Sequence, residues 1–172
     1  PSHITAVGDH AFQDCKNLQT AYVPEAVRTI GDYAFAGCSL DVSDENMPEY
    51  YSISILLSEG LESVGDYAFS RMYGLTYLNL PQSLTTLGKG TFAGDNRLLS
   101  MRIPAKVTVI PDYLFERCYE LQGVSLPEGL QEIGAYAFYG PTKLKTVHLP
   151  EGLKSIGNYA FACFGAPDPW SE

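Results

Sequence analysis

Three histidines, four cysteines and one acidic stretch are the parts of this chain whose chemistry could do work. His3, His10 and His148 stand in none of the frames that make histidine a base or a metal ligand. There is no Gly-x-Ser-x-Gly, no His-Glu-x-x-His and no phosphate-cradling glycine loop. Cys15, Cys38, Cys118 and Cys163 form no Cys-x-x-Cys pair, which leaves a zinc or redox centre without support. The stretch from Ser39 to Tyr51 is richer, since Asp41, Ser43, Asp44, Glu45 and Asn46 all carry the oxygen donors that calcium prefers. It lacks the glycine and the closing glutamate of an EF-hand loop. A solvated loop is therefore the expectation, with a calcium site on Asp41, Asp44 and Glu45 as the alternative. No enzyme and no cofactor are expected.

What must position any of these residues is a repeat. A six-residue pattern typified by Ile133-Gly134-Ala135-Tyr136-Ala137-Phe138 begins at Val7, Ile30, Val64, Leu87, Ile110, Ile133 and Ile156. The spacings are 23, 34, 23, 23, 23 and 23, so one unit is copied at a fixed period with an 11-residue insertion in the second copy. The chain reads as a solenoid of about seven turns, numbered here from these starting residues. A side chain repeated once per turn stacks on its own copies about 4.8 Å apart, the spacing of hydrogen-bonded strands. Phe12, Phe35, Phe69, Phe92, Phe115, Phe138 and Phe161 should thus make one buried spine, each ring contributing roughly 1.5 to 3 kcal/mol.

The other rows carry local geometry. Gly8, Gly31, Gly65, Gly88, Gly134 and Gly157, interrupted by Pro111, indicate a corner too crowded for a side chain, and proline's fixed φ argues against a positive φ there. Val147-His148-Leu149 and its equivalents alternate as a short strand, so each turn is expected to add one strand to a continuous parallel ladder that the following proline stops. The row three residues after phenylalanine holds Cys15, Cys38 and Cys118, with Met72, Asp95, Pro141 and Phe164 at the same place in other turns. Parallel side chains one rung apart exceed the Cβ separation of a disulfide, so Cys15 and Cys38 are expected to be free thiols. The tyrosine row, Tyr33, Tyr67, Tyr113, Tyr136 and Tyr159, is expected to pack with its polar tips at the surface.

The full period, Leu-x-x-Val-x-Leu-Pro-x-x-Leu-x-x-Ile-Gly-x-x-Ala-Phe-x-x-Cys, resembles the BspA-like leucine-rich repeats, a 23-residue class of bacterial surface proteins, over nearly all of the chain up to Phe164. The resemblance implies a leucine-rich-repeat solenoid, a right-handed coil with a parallel β-ladder, short second strands and short helical turns. It also implies a role in adhesion or in binding molecules of a host or a neighbouring cell, at the cell surface or outside it. It carries over no catalytic residue.

Length and composition fit one domain over residues 1–164, with the insertion at about 39–52, followed by a tail or link at 165–172. The opening residues show neither a basic start nor an apolar run, so no signal peptide is visible, and they read as the second half of a repeat with Ile4 in the place of Leu153. Nothing in the sequence is apolar for long enough to insert in a membrane. The net charge of −9 is lopsided, −8 in residues 1–84 and −1 in residues 85–172, which disfavours nucleic acid and favours cationic partners. The oligomeric state is left open.

What can recognise a ligand is the outward side of the strands. Its residues are Thr20 and Tyr22, Ser54 and Leu56, Tyr77 and Asn79, Ser100 and Arg102, Gly123 and Ser125, and Thr146 and His148. Tyr22, Leu56, Tyr77 and Asn79, beside Tyr50 and Tyr51 of the insertion, form the candidate ligand site, because aromatic anchors on a rigid sheet bring area at small entropic cost. The expected partner is a protein or glycan of a host or neighbouring cell. A purely structural spacer is the competing class, and a calcium-dependent module the third.

Overall fold

A computed structural model describes residues 3–38 and 52–163. Eleven strands follow one another: β1 (Ala6–Val7), β2 (Thr20–Val23), β3 (Thr29–Ile30), β4 (Ser54–Leu57), β5 (Ser63–Val64), β6 (Thr86–Leu87), β7 (Ser100–Arg102), β8 (Val109–Ile110), β9 (Gly123–Ser125), β10 (Glu132–Ile133) and β11 (Ser155–Ile156). Every pairing between them is parallel and joins equivalent positions of adjacent turns. That is the solenoid the period predicts. The insertion leaves it undisturbed: Thr20 pairs with Ser54 and Val23 with Leu57 across the longer second turn.

The two strand ladders depart from the expected continuity, and in one of them the reason is chemical. In the short ladder, the glycine N–H of a turn donates to the residue before the same position of the preceding turn, as Gly88 does to Val64 (2.8 Å) and Gly134 to Ile110 (2.7 Å). Pro111 has no N–H to give to Leu87. The ladder accordingly divides into β1-β3-β5-β6 and β8-β10-β11 at that point. The long ladder also comes in pieces, β2-β4 and β7-β9, with isolated bridges at Ile53–Leu75 and Gly123–Thr146. In turn 3 the segment from Thr76 to Leu80 forms no strand, although Leu78 and Leu80 still point inward and Tyr77 and Asn79 outward. The side-chain register survives there without the backbone pairing.

The expected short helical turns are absent among the described residues, and overlapping tight turns replace them. In turn 5, Glu116 N donates to Tyr113 O (3.0 Å) and Cys118 N to Phe115 O (3.2 Å), closing turns within the segment. The alternate amides leave it: Tyr113 N, Phe115 N and Arg117 N donate to Ala135, Ala137 and Tyr139 of the next turn at 3.0, 2.7 and 2.7 Å. Aiming every second N–H along the coil requires left-handed residues at two places four apart. They are found at His10 and Asp14, Tyr33 and Gly37, Tyr67 and Arg71, Gly90 and Gly94, Tyr113 and Arg117, and Tyr136 and Gly140, with φ between 53° and 102°. A helix would spend those amides on itself and leave the stack unbonded.

The interior holds the phenylalanine spine. Phe35, Phe69, Phe92, Phe115 and Phe138 are 0 to 1% exposed, and successive rings stack at 4.9 to 5.9 Å from Phe12 to Phe161. The ends are open, with Phe12 at 41% exposure and Ile4, Leu149 and Ile156 also exposed. The glycine corner behaves as expected. None of its described glycines has positive φ, and a Cβ on Gly134 would lie 2.6 Å from Asp112 Oδ1 and 2.7 Å from the Pro111 carbonyl carbon. The crowding comes from the turn before, and Gly8, in the first of the described turns, meets nothing within 4 Å. The aspartate that does the crowding also bonds: Asp32 Oδ1 accepts from Asp66 N (2.7 Å) and Asp66 Oδ1 from Lys89 N (2.7 Å).

Candidate binding surface

Strand alternation and parallel register together place the outward residues. Tyr22 sits beside Leu56 in the β2-β4 pair, and Arg102 beside Ser125 in the β7-β9 pair. Two rows result, one running Tyr22, Leu56, Asn79, Arg102, Ser125, His148 and the other Thr20, Ser54, Tyr77, Ser100, Gly123, Thr146. Tyr22, Leu56 and Tyr77 are 63, 52 and 61% exposed, and Asn79 is exposed with them. The tip of Tyr22 is steadied from the next turn: Ser58 Oγ lies 3.4 Å from the phenol oxygen while donating to Val23 O at 2.8 Å. The structure thus brings Tyr22 and Leu56 side by side and puts Tyr77 and Asn79 one turn on, in the gap between the two paired pieces of sheet. Tyr50 and Tyr51, and the calcium alternative of Asp41, Asp44 and Glu45, lie outside the described residues. Among the described residues no group of three His, Cys, Asp or Glu is placed to hold a metal.

The titratable groups offer little chemistry. All four cysteines are free. Burial pushes the Cys38 thiol up to about 11, and its Sγ donates to the Phe12 carbonyl at 3.0 Å. Cys118 is raised by burial too and donates to Phe92 O at 3.1 Å. Both are neutral hydrogen-bonding fillers in the core, where a nucleophile would need the thiolate. The tyrosine row packs as expected, His10, Tyr33 and Tyr67 stacking at 5.2 and 5.3 Å and Tyr113, Tyr136 and Tyr159 at 5.3 and 5.2 Å. It is interrupted at Gly90, the one turn of the row without a ring.

The comparisons agree with this architecture. The profile of the BspA type leucine-rich repeat region matches in six copies over residues 1–53 and 45–164. No curated protein matches. Among solved structures, the leucine-rich repeat protein of T. pallidum is 29% identical with a TM-score of 0.81, over 98% of this chain and 76% of that one. A leucine-rich cell surface protein of Faecalibacterium prausnitzii A2-165 is also 29% identical, with a TM-score of 0.75, over 92% of this chain. The present chain spans only 40% of that protein. A leucine-rich repeat protein of Eubacterium ventriosum, 21% identical with a TM-score of 0.57, shares the fold. No helix among the described residues is long and apolar enough to cross a membrane. With the repeat rows, the parallel ladders and the sequence profile all in register, the chain belongs to the BspA-type leucine-rich-repeat family.

Proposed function

We propose that the chain is a non-enzymatic binding module of a surface or secreted protein, which docks a host or neighbouring-cell protein or glycan across the outward face of turns 1 to 3. The observation that carries this reading is the placement of Tyr22, Leu56 and Tyr77, three large exposed side chains on adjacent turns of a rigid scaffold. The same positions in turns 4 to 6 carry only Ser100, Arg102, Gly123, Ser125, Thr146 and His148. Aromatic anchors with restricted rotamers lose little entropy on docking. A spacer has no need for such a change of face between its two halves. Tyr77 is the central anchor, Asn79 adds a polar contact, and the acidic insertion with Tyr50 and Tyr51 steers a cationic partner toward it.

The experiment is a binding screen against glycans and extracellular-matrix proteins, followed by Tyr22→Ala with Tyr77→Ala. The double variant should lose at least about 2 kcal/mol of binding to whichever ligand the screen returns, with an unchanged melting temperature. Normal binding by that variant, with loss on changing Arg102 and His148, would move the site to the other half of the face. A melting temperature that rises with added calcium would instead support the calcium-dependent alternative.

A further inference from the structure

The tight-turn segment ends in a bend that the amide three residues after phenylalanine can close. In turns 1, 2, 4 and 5 that amide, of Cys15, Cys38, Asp95 and Cys118, donates to the phenylalanine carbonyl at 3.2 Å. The strands that follow those bends are β2, β4, β7 and β9. Among the described residues turns 3 and 6 lack the bond, and there the long ladder is reduced to the isolated bridges Ile53–Leu75 and Gly123–Thr146. In turn 6 the reason is Pro141, which has no N–H. Turn 3 differs, since Met72 has an amide and β4 and β7 stand on either side to pair with. Leu80 N nonetheless makes no ladder bond among the described residues, whereas its equivalent in turn 4, Ile103 N, donates to Ser125 O at 3.0 Å.

What diverts the Met72 amide is the side chain of Asp95. Its Oδ1 accepts from Met72 N at 2.7 Å, which leaves the Phe69 carbonyl without the donor that closes the other bends. Asp95 is fully buried, and its Oδ2 has no partner among the described residues. The row itself points to an acceptor. Cys38 Sγ donates to Phe12 O at 3.0 Å and Cys118 Sγ to Phe92 O at 3.1 Å, each to the carbonyl 26 residues earlier. For Asp95 that carbonyl belongs to Phe69, the one that has lost its amide. A protonated carboxyl carries a donor beside an acceptor, so it can stand between an N–H and a C=O that would otherwise meet. A carboxylate would set a negative oxygen against that carbonyl away from water. Burial favours the acid against the opposing pull of the Met72 N–H. The titratable group whose burial it shares is the Cys118 thiol of turn 5. The charged side chains beside the bend, Arg71 of turn 3 and Glu116 and Arg117 of turn 5, are partly or fully exposed, and none bonds the carboxyl.

We propose that Asp95 is a positioning residue for turn 3, a neutral acid inserted between the Met72 N–H and the Phe69 carbonyl that keeps Thr76–Leu80, with Tyr77 and Asn79, out of the ladder. That Tyr77 and Asn79 meet a ligand rests on the strand-face reading above; the insertion does not. The carboxyl reaches the start of that segment through Met72, whose carbonyl accepts from Leu75 N at 2.9 Å. Loss of its proton removes the bond to Phe69 and opens the bend, so pH acts on the Tyr77 anchor from within the core.

Amide hydrogen exchange of the intact chain tests this without a ligand. Asp95→Cys gives the row its thiol, returns Met72 N to Phe69 O, and should slow exchange at Leu80 at least about tenfold as turn 3 joins β4 to β7. Asp95→Asn keeps an acceptor and a donor in the same shape and should leave Leu80 exchanging as in wild type. Between about pH 5 and pH 8, corrected for base catalysis, opening at the Met72 amide should stay level in Asp95→Asn and rise in wild type. The proposal is overturned if Asp95→Cys leaves Leu80 unprotected, if Asp95→Asn protects it as the thiol does, or if wild type and Asp95→Asn share one pH profile. Failure of the strand-face site is read separately, as normal binding by the Tyr22→Ala and Tyr77→Ala variant, and leaves these exchange results as they are.

Discussion

A buried carboxyl sets turn 4 apart from its neighbours at the level of single residues. Asp95 is 0% exposed in the row that Cys38 and Cys118 fill with neutral thiols, and only its Oδ1 is bonded, to Met72 N at 2.7 Å. Oδ2 has no hydrogen-bond partner among the described residues, and after burial the Asp95 charge is the next cause that raises the Cys118 thiol. Burial raises the carboxyl well above its usual range, outweighing the opposing Met72 N–H. The folded protein therefore keeps a proton that the unfolded chain has already lost. Stability from this group is complete below about pH 4, the unfolded value, and is lost as pH climbs through the folded one, about 1.4 kcal/mol per unit of separation. Replacing Asp95→Cys restores the thiol of the row and removes the dependence. Urea midpoints of wild type and variant should thus diverge in the variant's favour from about pH 4 upward. A difference that stays constant between pH 4 and pH 8 would mean the carboxyl is not held neutral.

Among the elements, the phenylalanine spine connects sequence to stability most directly. Phe92 and Phe115 have a stacked ring on either side and no exposure, whereas Phe12 has Phe35 on one side and is 41% exposed. Phe92→Ala or Phe115→Ala should cost about 3 to 5 kcal/mol, and Phe12→Ala distinctly less, in denaturant titration. Equal losses at Phe12 and Phe92 would contradict the stacked core. The spine was legible because a period of one side chain per turn leaves no other place for it. The tight turns were hard to read because tyrosine fills the first left-handed place in four of the six turns and gives no local sign of that conformation, although Gly37, Gly94 and Gly140 mark the second. It is imposed by the need to send alternate amides to the next turn. The strand-face anchors could be read from alternation alone, because the side chains of an extended strand face opposite sides whether or not the backbone pairs.

For the molecule as a whole, the spread of burial predicts how the coil opens. Each turn bonds only to its neighbours, so local stability is the sum of a turn's own terms and two interfaces, or one at an end. Among the described residues Phe12 and Ile4 at one end and Ile156 and Tyr159 at the other are exposed, while turns 3 to 5 have a neighbour on either side. Pro111 removes one bond from the short ladder between β6 and β8, yet the spine stacks through that point, with Phe92 and Phe115 at 5.5 Å. Ring packing and the tight-turn bonds from Gly90, Phe92 and Gly94 should therefore hold the two halves in one cooperative unit. Native-state hydrogen exchange should find the slowest amides at Phe69, Phe92 and Phe115, with protection falling toward Phe12 and toward Ala160. Two separate plateaus of protection, meeting near Pro111, would show that the missing ladder bond divides the coil and that the spine does not bridge it.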